Sequence, residues 1–396
     1  MAAPFNPPTD YSNKPKVPQW VPPAAPTEDL DYAKLHTIDL ALVDSPDPAV
    51  VKQLVATTKE AIRDDGFLYL VNYGVSLDQL HRQFSIAQYL HKNISEEDKD
   101  RLHWDPQSGI YAGYKPPFGW RTIKGKPDGI CQFNFYDEEF QSLGKVPTCV
   151  HPFMDEVTAF TEYLTRSVNR RLLRLLSMVL EMPDDYLWDN VESHSGPINE
   201  GYLRHALFYP FKTQDSGMSK GLRMFGHTDF GTTTLLFSVP VTCLQIWGRD
   251  QVWRYVKYSP GALVVNIGDT LELVSGGHFR ATRHRVHSPP ESQSTFERLS
   301  IVCFNGSKGD LRMEPAWESP LLKREGCFES QGAYKEFTAL RATGVPVPTN
   351  KEWREISIAK TRHPTDNPEL SLKEVYVEGV KMLEVVHLGV RVLQPA

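Results

Sequence analysis

Two residues with metal-binding side chains, His227 and Asp229, stand two positions apart in the stretch GHTDFGTT (226–233). The residues around them favour extended backbone, and strand side chains at positions i and i+2 point to the same face. We therefore expect an imidazole and a carboxylate to share one space. Alone, the pair is a weak signal, because a hydrogen-bonded polar cluster contains the same residue types.

A third candidate ligand, His284, lies in RATRHRV on another predicted strand of the same β-rich region. Two imidazoles and one carboxylate on neighbouring strands can occupy one triangular face of an octahedral ion and leave three positions open. This donor set is typical of non-haem Fe(II) oxygenases. Zinc prefers a tetrahedral set with N or S ligands, so the pattern indicates ferrous iron.

Two further histidines, His278 and His287, lie close to His284 in sequence. His287 has the opposite strand parity to His284, so it should face away from the metal. His278 follows the turn at Gly276 and Gly277 and is expected at the surface. We predict that neither histidine binds the ion.

A second polar pair, Arg298 and Ser300, follows in the sequence RLS. The same i, i+2 spacing places a guanidinium and a hydroxyl on one strand face. Together they could hold a carboxylate, with the arginine contributing two parallel hydrogen bonds. A surface salt bridge would explain Arg298 alone, but its position after the histidine and aspartate ligands favours a buried anion clamp.

The elements that must position these residues follow from hydrophobic spacing and turn residues. Short β-rich runs between about 199 and 306 predict an antiparallel sandwich or barrel. Apolar residues recurring every three or four positions predict a long helix at 151–181. Nearer the N-terminus the sequence predicts strands at 37–43 and 67–75, with a helix at 48–66 between them. A second helix should end near residue 92.

We divide the chain into four segments. They are a proline-rich extended arm (1–35), an N-terminal region of helices and strands (36–150), a supporting helix with the catalytic β core (151–306), and a C-terminal extension (307–396). Residues 103–150 contain a long irregular stretch, and such stretches are often functional. The clearest signal in the C-terminal extension is a helix in GAYKEFTALRAT, so we expect helical extensions at both ends.

Bulk composition excludes several function classes. The net charge is −6 and there is no long basic run, so neither nucleic acid nor an anionic membrane is an expected partner. The five cysteines are scattered without a CxxC pair, which argues against a disulfide framework. No apolar run approaches the ~20 residues that span a bilayer. We expect a cytoplasmic protein with a small-molecule substrate. The sequence does not indicate the oligomeric state.

Taken together, these motifs resemble the isopenicillin N synthase-like branch of the Fe(II)/2-oxoglutarate-dependent dioxygenases. The resemblance covers residues 36–306 and rests on segments in a fixed order, which are IDLALVDS, AIRDDGFLYLVNYGV, FYP, GHTDFGTTTLLF, LQIWGRDQVWRYVKYSPGALVVNIGDTLELVSGG, HRV and RLS. It implies a distorted double-stranded β-helix, or jelly roll, backed by a long helix. It also implies Fe(II), 2-oxoglutarate and O2 as reactants.

The resemblance assigns roles to individual residues. It implies iron ligands at His227, Asp229 and His284, and a clamp for 2-oxoglutarate at Arg298 and Ser300. Tyr209 of FYP would assist the clamp.

The chain departs from the family at two points. Plant members usually have Asn-x-Tyr before the proline, where this chain has Leu207-Phe208-Tyr209, so one hydrogen-bonding group is missing or moved. Arg204 lies one residue further from Tyr209 than expected and receives no role.

Candidate substrate-lining residues are the aromatic residues of the irregular stretch and two positions after the last core strand; they are Tyr111, Tyr114, Trp120, Phe133, Phe135, Phe304 and Asn305. Packing under a long loop would explain any one of them singly. As a group they indicate an aromatic-lined pocket. The expected reaction is hydroxylation, desaturation or cyclisation of a small metabolite of specialised metabolism, with release of succinate and CO2.

Four other functions stay open. An iron oxidase of the same fold would not use 2-oxoglutarate, and an ethylene-forming type would break 2-oxoglutarate down. A jelly-roll binding protein would need no ligand triad. A zinc hydrolase is disfavoured because no glutamate base accompanies the histidines.

Overall fold

The computed structural model describes residues 3–105, 111–117, 129–192, 194, 198, 200–210, 222–328, 341–355, 373–377, 380–387 and 390–395. The N-terminal arm runs extended over the body and is anchored by apolar side chains. Trp20 is 8% exposed and stacks on Phe84 with ring centroids 4.4 Å apart. The Lys14 ammonium lies 2.6 Å from Asp155 and 3.0 Å from Glu156. Ala33 donates a backbone hydrogen bond to the Tyr255 carbonyl.

The predicted strand–helix–strand unit is present with changed bounds. It consists of β1 (Thr37–Asp39), α1 (Pro48–Asp64) and β2 (Phe67–Val71). β1 ends sooner than predicted because the Asp39 carboxylate accepts a hydrogen bond from the Ala41 amide and starts a 3₁₀ turn. α1 begins at the predicted proline after the N-cap Asp47.

Two more helices precede the β core. α2 (Leu77–Asn93) begins with a capping box between Ser76 and Gln79, and α3 (Glu96–Arg101) begins after the N-cap Ser95. Both starts satisfy backbone amides that the helix itself leaves unpaired. α4 (Asp137–Gln141) is a short helix before the predicted long one.

The long helix is divided by one stretch of π-helix. α5 (Met154–Tyr163) and α6 (Arg170–Val179) are joined through Leu164–Asn169 without a break in direction. The predicted apolar stripe is buried throughout, since Phe160, Leu164 and Leu172 have no exposed surface. α7 (Tyr186–Asn190) follows.

The β core consists of two facing sheets. Its remaining strands are β3 (Gly113–Lys115), β4 (Ile130–Phe135), β5 (Tyr202–Phe208), β6 (Leu222–His227), β7 (Thr233–Phe237), β8 (Leu244–Trp247), β9 (Trp253–Tyr255), β10 (Leu263–Ile267), β11 (His284–His287) and β12 (Arg298–Phe304). The large sheet has the order β1-β2-β10-β7-β12-β5-β4-β3, and the small sheet has the order β6-β11-β8-β9. Every pairing except β1 with β2 is antiparallel. This is the predicted jelly roll.

The two faces of the large sheet pack against different layers. On β12, Leu299 and Ile301 join the apolar core that contains α5 and α6. The opposite face looks across to the small sheet, where Phe208 of β5 packs with Val286 of β11. Functional side chains must lie on this second face, because only it borders the space between the sheets.

The C-terminal extension is helical in its first part, as predicted, and ends in strands that the sequence did not lead us to expect. α8 (Asp269–Val274) lies in the core, and α9 (Pro320–Glu325) begins the extension. Three further strands form a third sheet; they are β13 (Lys373–Val377), β14 (Val380–His387) and β15 (Val390–Pro395). Frequent valines in this stretch favour strands. Most of the predicted helix in GAYKEFTALRAT lies outside the described residues. Within the described ranges, no helix has the length and apolar character needed to cross a membrane.

Candidate metal centre and cosubstrate pocket

The three predicted ligands converge at the open end of the two sheets. His227 ends β6 and pairs directly with His284 at the start of β11. Asp229 lies two residues past the end of β6, so strand register rather than alternation along one strand brings the three together. Its Oδ1 lies 3.8 Å from His227 Nε2 and 3.7 Å from His284 Nε2. One ligand atom from each residue lies within 4.8 Å of the others.

Two neutral donors fix the orientation of the Asp229 carboxylate. Its Oδ2 accepts hydrogen bonds from Thr234 Oγ1 at 2.7 Å and Asn266 Nδ2 at 2.8 Å. Oδ1 is therefore the oxygen that faces both imidazoles. Burial raises the pKa of this carboxyl, but the two histidines and the two hydrogen bonds lower it further, to below its ordinary value. The carboxylate is thus held in the charged form that a cation needs.

The two imidazoles differ in exposure. The side chain of His284 is 11% exposed, whereas that of His227 is 41% exposed. His284 Nδ1 lies 3.2 Å from the Thr282 carbonyl, which leaves Nε2 for the ion. Such a bond from the second ring nitrogen is the usual way that a protein orients a histidine ligand.

This donor set fits ferrous iron. It offers two imidazole nitrogens and one carboxylate oxygen close to one another, without a thiolate. That composition matches the two-histidine, one-carboxylate arrangement of non-haem iron enzymes. In the described part of the chain, no other three histidine, cysteine or acidic side chains come close enough together to hold an ion.

The predicted anion clamp faces the same interior. Arg298 and Ser300 are 6% and 2% exposed. Arg298 forms no ion pair with any described residue, and its Nε is buried without a hydrogen-bond partner among them. A buried guanidinium with an unsatisfied donor is costly unless a ligand supplies an acceptor. Arg298 and Ser300 therefore fit a carboxylate such as that of 2-oxoglutarate.

Tyr209 does not lie beside this clamp. Strand register pairs Arg298 with Phe208, and the Arg298 guanidinium carbon lies 4.9 Å from the Phe208 ring centroid. Tyr209 has the opposite parity and packs against the helix-facing core near Cys131. Burial raises the pKa of its hydroxyl to about 12. One residue that sequence reasoning missed is Phe208. The signal that could have found it is the strand parity that it shares with Arg204 and Ala206.

The structure separates the predicted substrate-lining residues into two groups. Tyr111 and Phe304 lie on the interior side, where both approach Tyr202 with ring centroids 6.2 and 4.5 Å away. Phe304 also pairs with Thr234, the residue that holds Asp229. Tyr202 was not singled out from sequence, although it shares strand parity with Arg204.

The second group lies elsewhere. Tyr114, Phe133 and Phe135 belong to the apolar core on the helix side, because their parity on β3 and β4 turns them away from the interior. Asn305 is 1% exposed and donates hydrogen bonds to Thr233 behind the site. These four expectations were wrong about position. Trp120 lies outside the described residues.

The two neighbouring histidines stay out of the cluster, as predicted. His287 has the expected parity, and its Nδ1 lies 3.1 Å from the Tyr255 hydroxyl. His278 is not at the surface, however. It is 4% exposed, and its Nε2 lies 2.9 Å from the Gly326 carbonyl. The C-terminal extension covers it, which the local turn sequence could not indicate.

Comparisons with known proteins agree with this geometry. A family model described as the 2OG-Fe(II) oxygenase superfamily matches residues 200–307, which contain all three candidate ligands and the clamp. A second, described as "non-haem dioxygenase in morphine synthesis N-terminal", matches residues 35–149. The chain belongs to the 2OG-Fe(II) oxygenase superfamily. Like other members of this superfamily, it is an oxidoreductase that uses ferrous iron and 2-oxoglutarate.

Individual relatives cover most of the oxygenase. The 2-oxoglutarate-dependent dioxygenase frbH of Dothideomycetidae sp. (strain 11243) is 29% identical over 290 residues, or 70% of this chain and 83% of that protein. Homoarginine-6-hydroxylase 2-ODD-C23.1 of Arabidopsis thaliana is 26% identical over 313 residues, or 72% and 88%. A full-length Neurospora crassa protein, crystallised in complex with alpha-KG, has a TM-score of 0.67 at 19% identity, covering 82% and 96%. This last likeness concerns the fold.

Proposed function

We propose that this oxygenase oxidises a C–H bond of a small organic metabolite at an iron ion held by His227, Asp229 and His284. Arg298 and Ser300 hold the distal carboxylate of 2-oxoglutarate, which is converted to succinate and CO2. The observation that carries the proposal is the convergence of three remote ligands beside a buried arginine that lacks an acceptor.

Strand register supports the placement of the two reactants. Thr234, which holds Asp229, lies opposite Phe304 at one end of β12, and Arg298 lies at the other end. Same-face neighbours along a strand are about 6.6 Å apart. We place a dicarboxylate held at Arg298 along the inner face of β12, with Ser300, one such step away, as its second contact.

Each residue has a specific task. The imidazoles and Asp229 would hold the ion, and Thr234 with Asn266 keeps the Asp229 carboxylate from rotating. Phe208 covers the Arg298 guanidinium and shields its ion pair from water, which strengthens the pair. When bound, the iron supplies the activation of O2 that is coupled to 2-oxoglutarate decarboxylation.

The substrate is proposed to be a compound of specialised metabolism. Tyr111, Tyr202 and Phe304 offer an aromatic wall next to the ligand-bearing end of the sheets. One relative is named for hydroxylation of homoarginine, which is a small metabolite. Hydroxylation is accordingly the first reaction to seek, and desaturation or cyclisation would follow from the same C–H oxidation.

The test measures Fe(II)-dependent succinate formation from 2-oxoglutarate by the full chain, with and without a screen of metabolites. His227→Ala should lower succinate formation at least about 100-fold, because even outer partners of metal ligands are worth 10–100-fold. His287→Ala is the matched control. It removes a histidine from the same strand as His284, but one that faces away, and should retain the rate.

Equal succinate formation by the wild type and His227→Ala would show that the proposed ligand is not one. Product formation without succinate would indicate the oxidase type that takes its electrons from substrate alone. Ethylene in the headspace would indicate the type that breaks down 2-oxoglutarate. Both outcomes would contradict the proposed reaction while leaving the metal site in place.

A further inference from the structure

Arg204 on β5 lies among three aromatic rings on the inner face of the large sheet. Its guanidinium carbon is 5.1 Å from the ring centroids of Tyr202 and Phe304, and 5.9 Å from that of Tyr111. Tyr202 and Phe304 are themselves stacked at 4.5 Å. The three rings therefore pack around the cation, and its N–H groups are the polar part of this surface.

A buried amide fixes the direction of this arginine. Arg204 Nε donates to Asn134 Oδ1 at 2.8 Å, and the Asn134 amide nitrogen donates to the Tyr111 carbonyl. Asn134 has no exposed surface, so its orientation is set by both bonds. One Nη2 hydrogen reaches the Tyr202 hydroxyl at 3.2 Å. The guanidinium is thereby pre-oriented before any ligand arrives.

No carboxylate neutralises Arg204 within the described part of the chain. Its side chain donates to two neutral oxygens, and it forms no ion pair there. A guanidinium has five N–H donors, so most of its donor capacity is unused. A partly buried cation in this condition has a strong preference for an anionic ligand, particularly one that accepts two hydrogen bonds at once.

Along the strand direction, register places Arg204 nearer the Phe304 end of β12 than the cosubstrate clamp is, on the strand β5 that lies across β12 from β7. It pairs with Val302, which lies two residues beyond Ser300 and two before Phe304 on β12. Phe304 in turn pairs with Thr234, the hydrogen-bond donor to Asp229. Neighbouring strands are about 4.8 Å apart, so Arg204 is on the wall next to the proposed reaction space. Its side chain is partly buried on the inner face of the sheet and does not enter the helix-side core.

We propose that Arg204 is a specificity-determining residue that binds a carboxylate on the organic substrate. The apolar body of that substrate lies against Phe304 and Tyr202, whose rings continue from the guanidinium toward the metal centre. This inference rests on the proposed function and narrows its substrate class to organic acids. Arg298 and Arg204 then receive separate anions, the first from 2-oxoglutarate and the second from the molecule that is oxidised.

The test compares acids with their neutral esters by calorimetry. The full chain is loaded with Fe(II) and saturating 2-oxoglutarate under anaerobic conditions, so that the Arg298 site is filled. A panel of arylacetic and cycloalkylacetic acids is titrated, each paired with its methyl ester. We expect the wild type to bind acids at least about 10-fold more tightly than their esters, and Arg204→Gln to lose this preference, since a charge-assisted pair is removed.

Arg285→Gln is the matched control. Arg285 also lies over an aromatic ring, 4.2 Å from the Trp253 centroid, and its Nε donates to the Gln245 side-chain amide at 2.8 Å. Its strand parity is opposite to that of His284, so it faces away from the site. This variant should keep the preference for acids, and Arg204→Lys should keep part of it.

Two results would overturn the inference. One is that no acid in the panel binds the wild type more tightly than its ester, or that Arg204→Gln retains the preference. The other is that Arg204→Gln raises the KM for 2-oxoglutarate more than about 10-fold, which would assign Arg204 to the cosubstrate. Neither result affects substrate-independent succinate formation by the wild type, so failure of the inference is distinguishable from failure of the proposed function.

Discussion

The two faces of β12 hold different chemistry although their residues alternate in one short strand. The inner face presents Arg298 and Ser300 to the space between the sheets, and the outer face presents Leu299 and Ile301 to the helix layer. All four are nearly or fully buried. The exposed fraction of a side chain therefore does not show whether that residue of β12 serves ligand binding or stability. The face of the strand on which the side chain lies does show it.

β5 repeats the same division. Arg204 and Phe208 lie on the inner face, whereas His205 and Leu207 lie on the helix side. A substitution on the inner face should change ligand binding more than folding, and one on the outer face should do the reverse. Substitutions on the two faces therefore test this division between ligand binding and folding.

The largest effect is expected at the inner face. Arg298→Gln should raise the KM for 2-oxoglutarate by about 100-fold or more, because a bidentate charged pair is lost while the carboxylate remains desolvated. The melting temperature should change little, since Arg298 forms no ion pair with a described residue. Steady-state kinetics in 2-oxoglutarate and thermal unfolding measure the two quantities. An unchanged KM would remove Arg298 from the clamp.

The outer face should show the opposite response. Ile301 has no exposed surface and belongs to the helix-side core. Ile301→Ala should lower the free energy of unfolding by about 2–5 kcal/mol through the lost apolar contact and the cavity left behind. Urea denaturation measures this loss. The folded variant should keep the wild-type KM for 2-oxoglutarate, and a KM shift comparable to that of Arg298→Gln would contradict the contrast.

A smaller effect, on the pH dependence of stability, is expected from two buried histidines on the helix side of the large sheet. Burial lowers the pKa of His205 to about 3 and that of His91 to about 4. Both are neutral in the folded protein, whereas unfolded histidine takes up a proton below about pH 6.5. Their contribution to stability is therefore complete above that pH and is lost as the pH falls toward 4, by up to about 1.4 kcal/mol per pH unit for each residue.

Urea unfolding at pH 7 and pH 5 measures this dependence. His205→Gln should reduce the loss of stability between the two pH values, because one titrating group is removed. His287→Ala serves as the comparison, since that histidine lies outside the helix-side core. If wild type and His205→Gln lose equal stability on acidification, His205 does not titrate as its surroundings imply.

The smallest effect is expected for Tyr209→Phe. The hydroxyl lies on the helix side near Cys131, so its removal should change the KM for 2-oxoglutarate less than about 2-fold. A conservative substitution that leaves packing intact is rarely worth more than about 1 kcal/mol. A large rise in KM would place Tyr209 in the clamp after all and would break the division between the faces.

Sequence reasoning predicted the cluster of candidate ligands because residue type and order carry that information directly. His227, Asp229 and His284 are recognisable from their donor chemistry, and Arg298 with Ser300 from their shared parity. An antiparallel β core and the long supporting helix also follow from residue spacing and turn residues, and the family resemblance implies that this core is a jelly roll. None of these inferences requires knowledge of which strand face is inward.

Most of the misplaced residues depended on that missing knowledge. Alternation shows that Phe208 and Tyr209 face opposite ways, but only the pairing of Phe208 with Arg298 shows which one is inside. The same ambiguity explains the wrong positions of Phe133 and Phe135. His278 was misjudged for another reason, because the carbonyl that it contacts, at Gly326, comes from a distant part of the chain.

The anchored N-terminal arm is part of the packed body of this enzyme. The matched family region starts at residue 35, yet Trp20 fills a gap beside Phe84, and Lys14 supplies a positive charge to the fully buried Glu156. The packed interior of the enzyme therefore includes residues upstream of the region that the family model matches.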